Sequence, residues 1–198
     1  MSKQNVKIIS TGIFYPPKRI SMDQYIQHFQ EKGIRIDGLL KSLGRKYKYV
    51  QAEGDNETTL TMGYKAAIMA MEKAKMDAKD IDMIVFVSDT PEYMAPTNAI
   101  KLNRMLNAHN ANIVYDMNCN CVGMITAMDQ VSRFMKTYDS IKNALIVGGV
   151  LISAVAQEND PINNAAFADS GAAIILSQDK TYDVRGFIDS IYKSDPCM

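Results

Sequence analysis

The sequence predicts a layered α/β fold, and three features predict it. Short apolar runs alternate with segments of helical period along the whole chain, which is the pattern of sheets covered by helices. Two of the runs, "IDMIVFVSD" (81–89) and "NALIVGGV" (143–150), are almost continuously apolar over the length of a strand, as strands buried on both faces are. The stretch "ETTLTMGYKAAIMAMEKAKM" (57–76) spaces its apolar residues by three and four, as a long helix with alanines on its close-packed side does.

In chain order, "VKIISTGIF" (6–14) reads as a strand and "SMDQYIQHF" (21–29) as a helix with Ser21 at its N-cap. A Gly- and Lys-containing connection leads to the long helix and then to the strand at 81–89. A further helix is expected from about Pro96, which suits a first-turn position. "ANIVYDM" (111–117) reads as another buried strand. From Cys121 onward Val122, Ile125, Met128, Val131 and Met135 recur every three or four residues, as in a buried helix. The third buried strand, at 143–150, follows; "INNAAFADSGAAIILSQ" (162–178) contains a fourth, and "DVRGFIDSIYKSD" (183–195) reads as a fifth. No repeat, linker or low-complexity segment interrupts the 198 residues.

Lys plus Arg and Asp plus Glu both total 22, so no excess of positive charge is available to hold a nucleic-acid backbone. Neither a basic run suited to an anionic membrane nor an export signal stands out, and the longest apolar runs fall far short of the roughly 20 residues that cross a bilayer. The expectation is a cytoplasmic protein with no nucleic-acid or membrane partner. Cys119, Cys121 and Cys197 cannot all pair, and thiols at i and i+2 are badly placed for a relaxed disulfide. A structural zinc site would need four ligands; with only His28 and His109 beside these cysteines, no metal is expected.

The pair "NCNC" sits where the strand at 111–117 turns into a helix. The first N–H groups of a helix lack partners and its dipole adds partial positive charge, so a thiolate is stabilised there. Cys121, directly before Val122, Gly123 and the helix, is the candidate nucleophile; Cys119 reads as a small packed residue. Two inert, buried cysteines are the alternative.

Strand, "YDMNCNCVGM", amphipathic helix and "ALIVGG" together resemble the nucleophile region of the beta-ketoacyl-acyl carrier protein synthase III group of the thiolase superfamily, with Tyr115, Asp116, Cys121 and Gly123 matching in order and spacing. "VKIISTGIFYPPKRIS" (6–21), the helix-and-strand segment 57–90 and "NAAFADSGAAIIL" (164–176), with Phe167, Asp169, Gly171 and Ala173 aligned, are similar to further segments of that group. Nearly the whole chain is covered.

The resemblance implies a thiolase-like half, a mixed sheet covered by helices with a buried nucleophile helix. Residues 1–198 would form the N-terminal unit of a duplicated fold whose C-terminal half, with its acid–base residues, is absent from this chain. It implies that Cys121 takes an acyl group from acyl-CoA or acyl carrier protein and passes it to a malonyl thioester, with no tightly bound cofactor. Gly123 would leave room for the acyl arm. Ala95, where many members carry an aromatic residue, and its neighbour Met94 would border the acyl pocket of a partner subunit in a homodimer. The stretch 37–49 lacks the family's adenine-stacking Trp; Lys41, Arg45 and Lys46 are the candidate phosphate contacts there, an exposed basic loop being the alternative. A half-length, non-catalytic binding subunit and an acyltransferase to an alcohol or amine are the other readings. Asp169 is expected to be structural, accepting N–H groups in a tight turn.

Overall fold

The computed structural model describes residues 5–179 and 186–195. A five-stranded mixed sheet in the order β1-β7-β6-β4-β5 organises the molecule. Its strands are β1 (Asn5–Phe14), β4 (Met83–Val87), β5 (Ile113–Met117), β6 (Asn143–Val150) and β7 (Ser170–Asp179). β4 runs parallel to β5 and β6, whereas β7 is antiparallel to β6 and β1. A separate antiparallel pair, β2 (Lys18–Ser21) and β3 (Tyr47–Val50), belongs to a smaller lobe with α1 (Met22–Glu31) and α2 (Asp37–Leu43), which lie between them in sequence.

The central strands sort their side chains by the two-residue period of a pleat. Ile84 and Phe86 of β4 with Leu145 and Val147 of β6 point toward α3 (Thr59–Ala74) and α4 (Asn98–Leu106). Met83, Val85 and Val87 with Ala144 and Ile146 point toward α5 (Gly123–Thr137). Both sets are buried, which is why these strands lack polar alternation.

α3 crosses β1 and β7 so closely that no side chain fits beneath it at Gly12 and Gly171. A Cβ on Gly12 would stand 2.0 Å from the carbonyl oxygen of Ala66, and one on Gly171 2.2 Å from that of Met62. Ala66, Ala67 and Ala70 complete this contact on the helix side. The helix begins at the capping box of Thr58 and Thr61, as α1 does at that of Ser21 and Gln24.

Several expectations need correction. Pro96 stands before the N-cap Thr97 rather than inside the first turn of α4. Residues 113–117 are half-buried, not buried, because β5 is an edge strand bonded only to β4 among the described residues. The connection at 37–49 contains α2 and β3. The apolar residues from Cys121 onward do not share one buried face: Val122 and Ile125 are 57% and 60% exposed, while Gly123, Ala127, Val131 and Met135 face the sheet. No strand forms within 186–195; 183–185 and Cys197 lie outside the described residues.

Candidate active site

Three parallel strands, β4, β5 and β6, end on the same side of the sheet, and it is beyond the carboxyl ends of such strands that α/β proteins place their sites. β5 ends at Met117, and Asn118 folds the chain back by accepting the N–H of Asn120 at 3.0 Å. Asn120 has a positive φ of 48° and opens a short 3₁₀ turn, Asn120–Val122, from which α5 continues at Gly123. Cys121 therefore sits in the turn that feeds α5, not on the first residue of the α-helix. It is exposed, whereas Cys119 is half-buried.

Asp116, the acid of the "YDMNC" stretch, fixes this strand end from behind. Its carboxylate accepts the N–H of Asn98 at 2.8 Å, the Asn98 side-chain amide at 2.9 Å and the N–H of Ala99 at 2.7 Å. It thus satisfies unpaired donors at the start of α4 and ties that helix to β5. Burial raises the pKa of the neighbouring Tyr115 phenol.

Cys121 opens onto a cavity of about 490 Å³. Val87, Met124, Val150, Ile152 and Phe167 give it apolar walls, and Ser88, Asp89, Asn120, Asn163 and Ser170 supply polar groups. Gly148, at the end of β6, leaves space that Met124 fills, since a Cβ there would lie 2.8 Å from the Met124 sulfur. A second cavity, of about 440 Å³, shares Asp89, Ile152 and Asn163 with the first.

The remaining predicted site residues fall in different places. Gly123 is buried, and a Cβ on it would meet Val87 Cγ1 at 2.5 Å, so its missing side chain lets α5 approach β4 rather than opening a path to the sulfur. Ala95 and Met94 are exposed, Met94 by 93%, and do not line the Cys121 cavity of their own chain. Met94 borders a smaller cavity of about 260 Å³ with Phe86, Tyr93 and Asp116. Lys41 and Lys46 are exposed on the small lobe. Arg45 turns inward and its Nη2 donates to the carbonyls of Ala166 and, at 2.9 Å, Ala165. His28 packs edge-on against Phe29 and His109 is exposed.

Asp169 is fully buried and anchors more than a local turn. It accepts the N–H of Gln51 at 2.7 Å, the N–H of Ser153 at 2.9 Å and the Ser153 hydroxyl, and its own N–H donates to Tyr49 at 3.0 Å. Beside it lies Lys48, a buried lysine that nothing in "RKYKY" singles out. Its ammonium donates to the carbonyls of Asn164 and Phe167 and stands 4.3 Å from the Tyr25 ring centre. Burial, then repulsion from Arg45, lowers its pKa to about 8, while Asp169 opposes the shift. Burial and Asp169 push the Tyr25 phenol up to about 12.

Known proteins resemble the chain in sequence and in fold. The family described as 3-oxoacyl-[acyl-carrier-protein (ACP)] synthase III matches residues 115–196, which contain Cys121. Beta-ketoacyl-[acyl-carrier-protein] synthase III of Neisseria gonorrhoeae is 29% identical over 192 residues, spanning 97% of this chain and 57% of the relative. The protein of that name from Neisseria meningitidis matches to the same extent. The chain thus spans a little over half the length of these curated relatives. Among solved structures, 3-oxoacyl-[acyl-carrier-protein] synthase III from Aquifex aeolicus superposes with a TM-score of 0.75 at 24% identity, covering 87% of this chain and 53% of that one. The priming beta-ketosynthase of the R1128 polyketide pathway gives 0.80 at 18% identity, covering 91% and 52%. These two likenesses concern the fold. In sequence and in fold, the chain is similar to the N-terminal half of 3-oxoacyl-[acyl-carrier-protein] synthase III.

Proposed function

We propose that the intact protein is an acyl-thioester condensing enzyme of the synthase III type and that Cys121 carries its acyl group. The observation that carries this reading is an exposed thiol at the carboxyl ends of three parallel strands, facing an apolar-walled cavity of about 490 Å³. The Cys121 thiolate attacks the carbonyl carbon of an acyl thioester. The backbone N–H of Cys121 serves as one donor to the tetrahedral oxyanion, which collapses with loss of the CoA or carrier-protein thiol. The acyl group then passes to the carbanion formed when a malonyl thioester loses carbon dioxide, and the cysteine thiolate is regenerated.

The acid–base groups for the second step belong to a C-terminal half, and one feature of this chain supports such a half. Val122 and Ile125 leave exposed apolar surface at the start of α5, and Phe134 and Tyr138 leave more at its end. Beside it the segment 186–195 is held to the helix by Tyr192, which donates to Asp129 at 3.0 Å, and by Lys136, which donates to the Phe187 carbonyl at 2.7 Å. Ile188 and Ile191 of that segment are 82% and 96% exposed, so a further layer of protein is expected over them. The edge strand β5 supports a homodimer that pairs this strand with its copy. Lys41 and Lys46, exposed on the small lobe, would meet the phosphate of CoA or the acidic carrier protein, whereas Arg45 is engaged by the Ala165 and Ala166 carbonyls. Among the described residues no helix is long and apolar enough to cross a membrane; a cytoplasmic location is part of this proposal.

Incubating the intact protein with an acyl thioester and mapping the adduct by mass spectrometry tests the reading. Acyl mass is expected on the Cys121 peptide, to be lost in Cys121→Ser and kept in Cys119→Ser. Full condensing turnover by Cys121→Ser would overturn it.

A further inference from the structure

The small lobe grips the wall of the Cys121 cavity from behind, through two cations that point away from solvent. α6 (Pro161–Ala166) has only six residues, and the last carbonyls of a helix have no partners within it. Here the carbonyls of Asn164, Ala165, Ala166 and Phe167 all receive side-chain donors: Lys48 serves the first and last, Arg45 the middle two. Ala165 is fully buried among Met22, Tyr25, Phe29, Ile36 and Leu40 of the lobe, and Asp169 ties the next turn to β3 and to Ser153. The segment held in this way presents Asn163, Phe167, Ala168 and Ser170 to the cavity.

Packing alone does not call for this arrangement. A lysine that is 5% exposed loses most of its hydration, and an apolar residue would fill the same space without that cost. What lysine supplies and an apolar residue cannot is a set of charge-assisted donors aimed at successive carbonyls, which fixes where the backbone lies. We propose that Lys48, with Arg45, is a positioning residue that sets the 163–170 wall of the Cys121 cavity and so the acyl chain that the cavity accepts. Lys48 touches no substrate and acts through the backbone of Phe167. This rests on the reading of Cys121 as the acylated residue.

The test compares wild type, Lys48→Met and Lys48→Arg in the intact protein by two measurements. Amide hydrogen exchange is expected to quicken roughly tenfold or more at 163–168 in Lys48→Met, with 84–87 of β4 unchanged, and to be restored largely by Lys48→Arg, which keeps a cationic donor. Unchanged exchange at 163–168, or a uniform rise that includes β4, overturns the proposal. The second measurement is acylation of Cys121 by thioesters of two to ten carbons. The ratio of long-chain to acetyl rates should move several-fold in Lys48→Met and return in Lys48→Arg; a ratio that does not move overturns the role in selection. Should Lys48→Met fail to fold, Arg45→Gln removes the other pair of donors and is read in the same two ways. If wild-type Cys121 takes no acyl group, the functional reading fails, while the exchange experiment still decides whether Lys48 holds the wall.

Discussion

Cys121 and Cys119 lie two residues apart yet differ in what can reach them, since the first is exposed at the cavity and the second half-buried behind the turn. Iodoacetamide at neutral pH should therefore modify Cys121 several-fold faster than Cys119, as peptide mapping would show; equal rates would remove the distinction. Lys48 yields a prediction with a definite sign. The folded state releases the Lys48 proton near pH 8, whereas the unfolded chain holds it until about 10.5. Below about 8 both states are charged and the cost of burial is fully present. Between about 8 and 10.5 the unfolded state binds more protons, so stability rises with pH, by on the order of 3 kcal/mol across the window. Denaturant titrations at pH 7.5 and 9.5 should show about 2 kcal/mol of this gain in wild type and none in Lys48→Met. The two residues were not equally legible. Cys121 stands at a strand-to-helix junction visible in the pattern, but "RKYKY" is a short polar alternation in which burial of Lys48 depends on α6, more than a hundred residues away.

Strands and long helices are legible where burial imposes a period, as in β4, β6 and α3. The phase of α5 is not, because its apolar residues extend around to a second face, and sequence alone does not say which face meets the sheet. The edge position of β5 is hidden for a similar reason: "IVYDM" is apolar enough for a central strand, and only the sheet order shows that it has one neighbour. Asp116 links this edge to α4. Replacing it with Ala leaves the N–H groups of Asn98 and Ala99 and the Asn98 amide without their acceptor, at about 1–3 kcal/mol. Chemical denaturation should show that loss, with the amides at the start of α4 exchanging faster than those of α3.

For the molecule as a whole, the layered α/β class and its mixed sheet follow from the sequence and its resemblance, while the division of labour between lobes does not. Ala95 and Met94 are exposed and do not line the cavity of their own chain; in the proposed homodimer Ala95 would act on acyl length from the partner's side. Ala95→Phe in the intact protein should shorten the preferred acyl chain, since each excluded methylene forfeits about 0.8 kcal/mol. Long-chain relative to acetyl rates should fall roughly ten- to a hundredfold with acetyl transfer unchanged. A profile indifferent to the substitution would assign the limit to Met94, to Tyr93 or to residues beyond this chain.

The pairing of β1 with β7 also governs the order of events during synthesis. Asn5 finds its neighbour only at Asp179, and β6 reaches β1 only through β7. A ribosome that has delivered the first 150 residues has thus made the parallel strands and α3, but not the strand that joins β1 to them. Until β7 emerges, the bare backbone of Gly171 is missing from beneath α3 and β1 has no place in the sheet. Such non-local closure slows folding and prolongs the exposure of apolar surface. The nascent chain is expected to engage chaperones up to that point and to release them once residues 170–179 have cleared the exit tunnel.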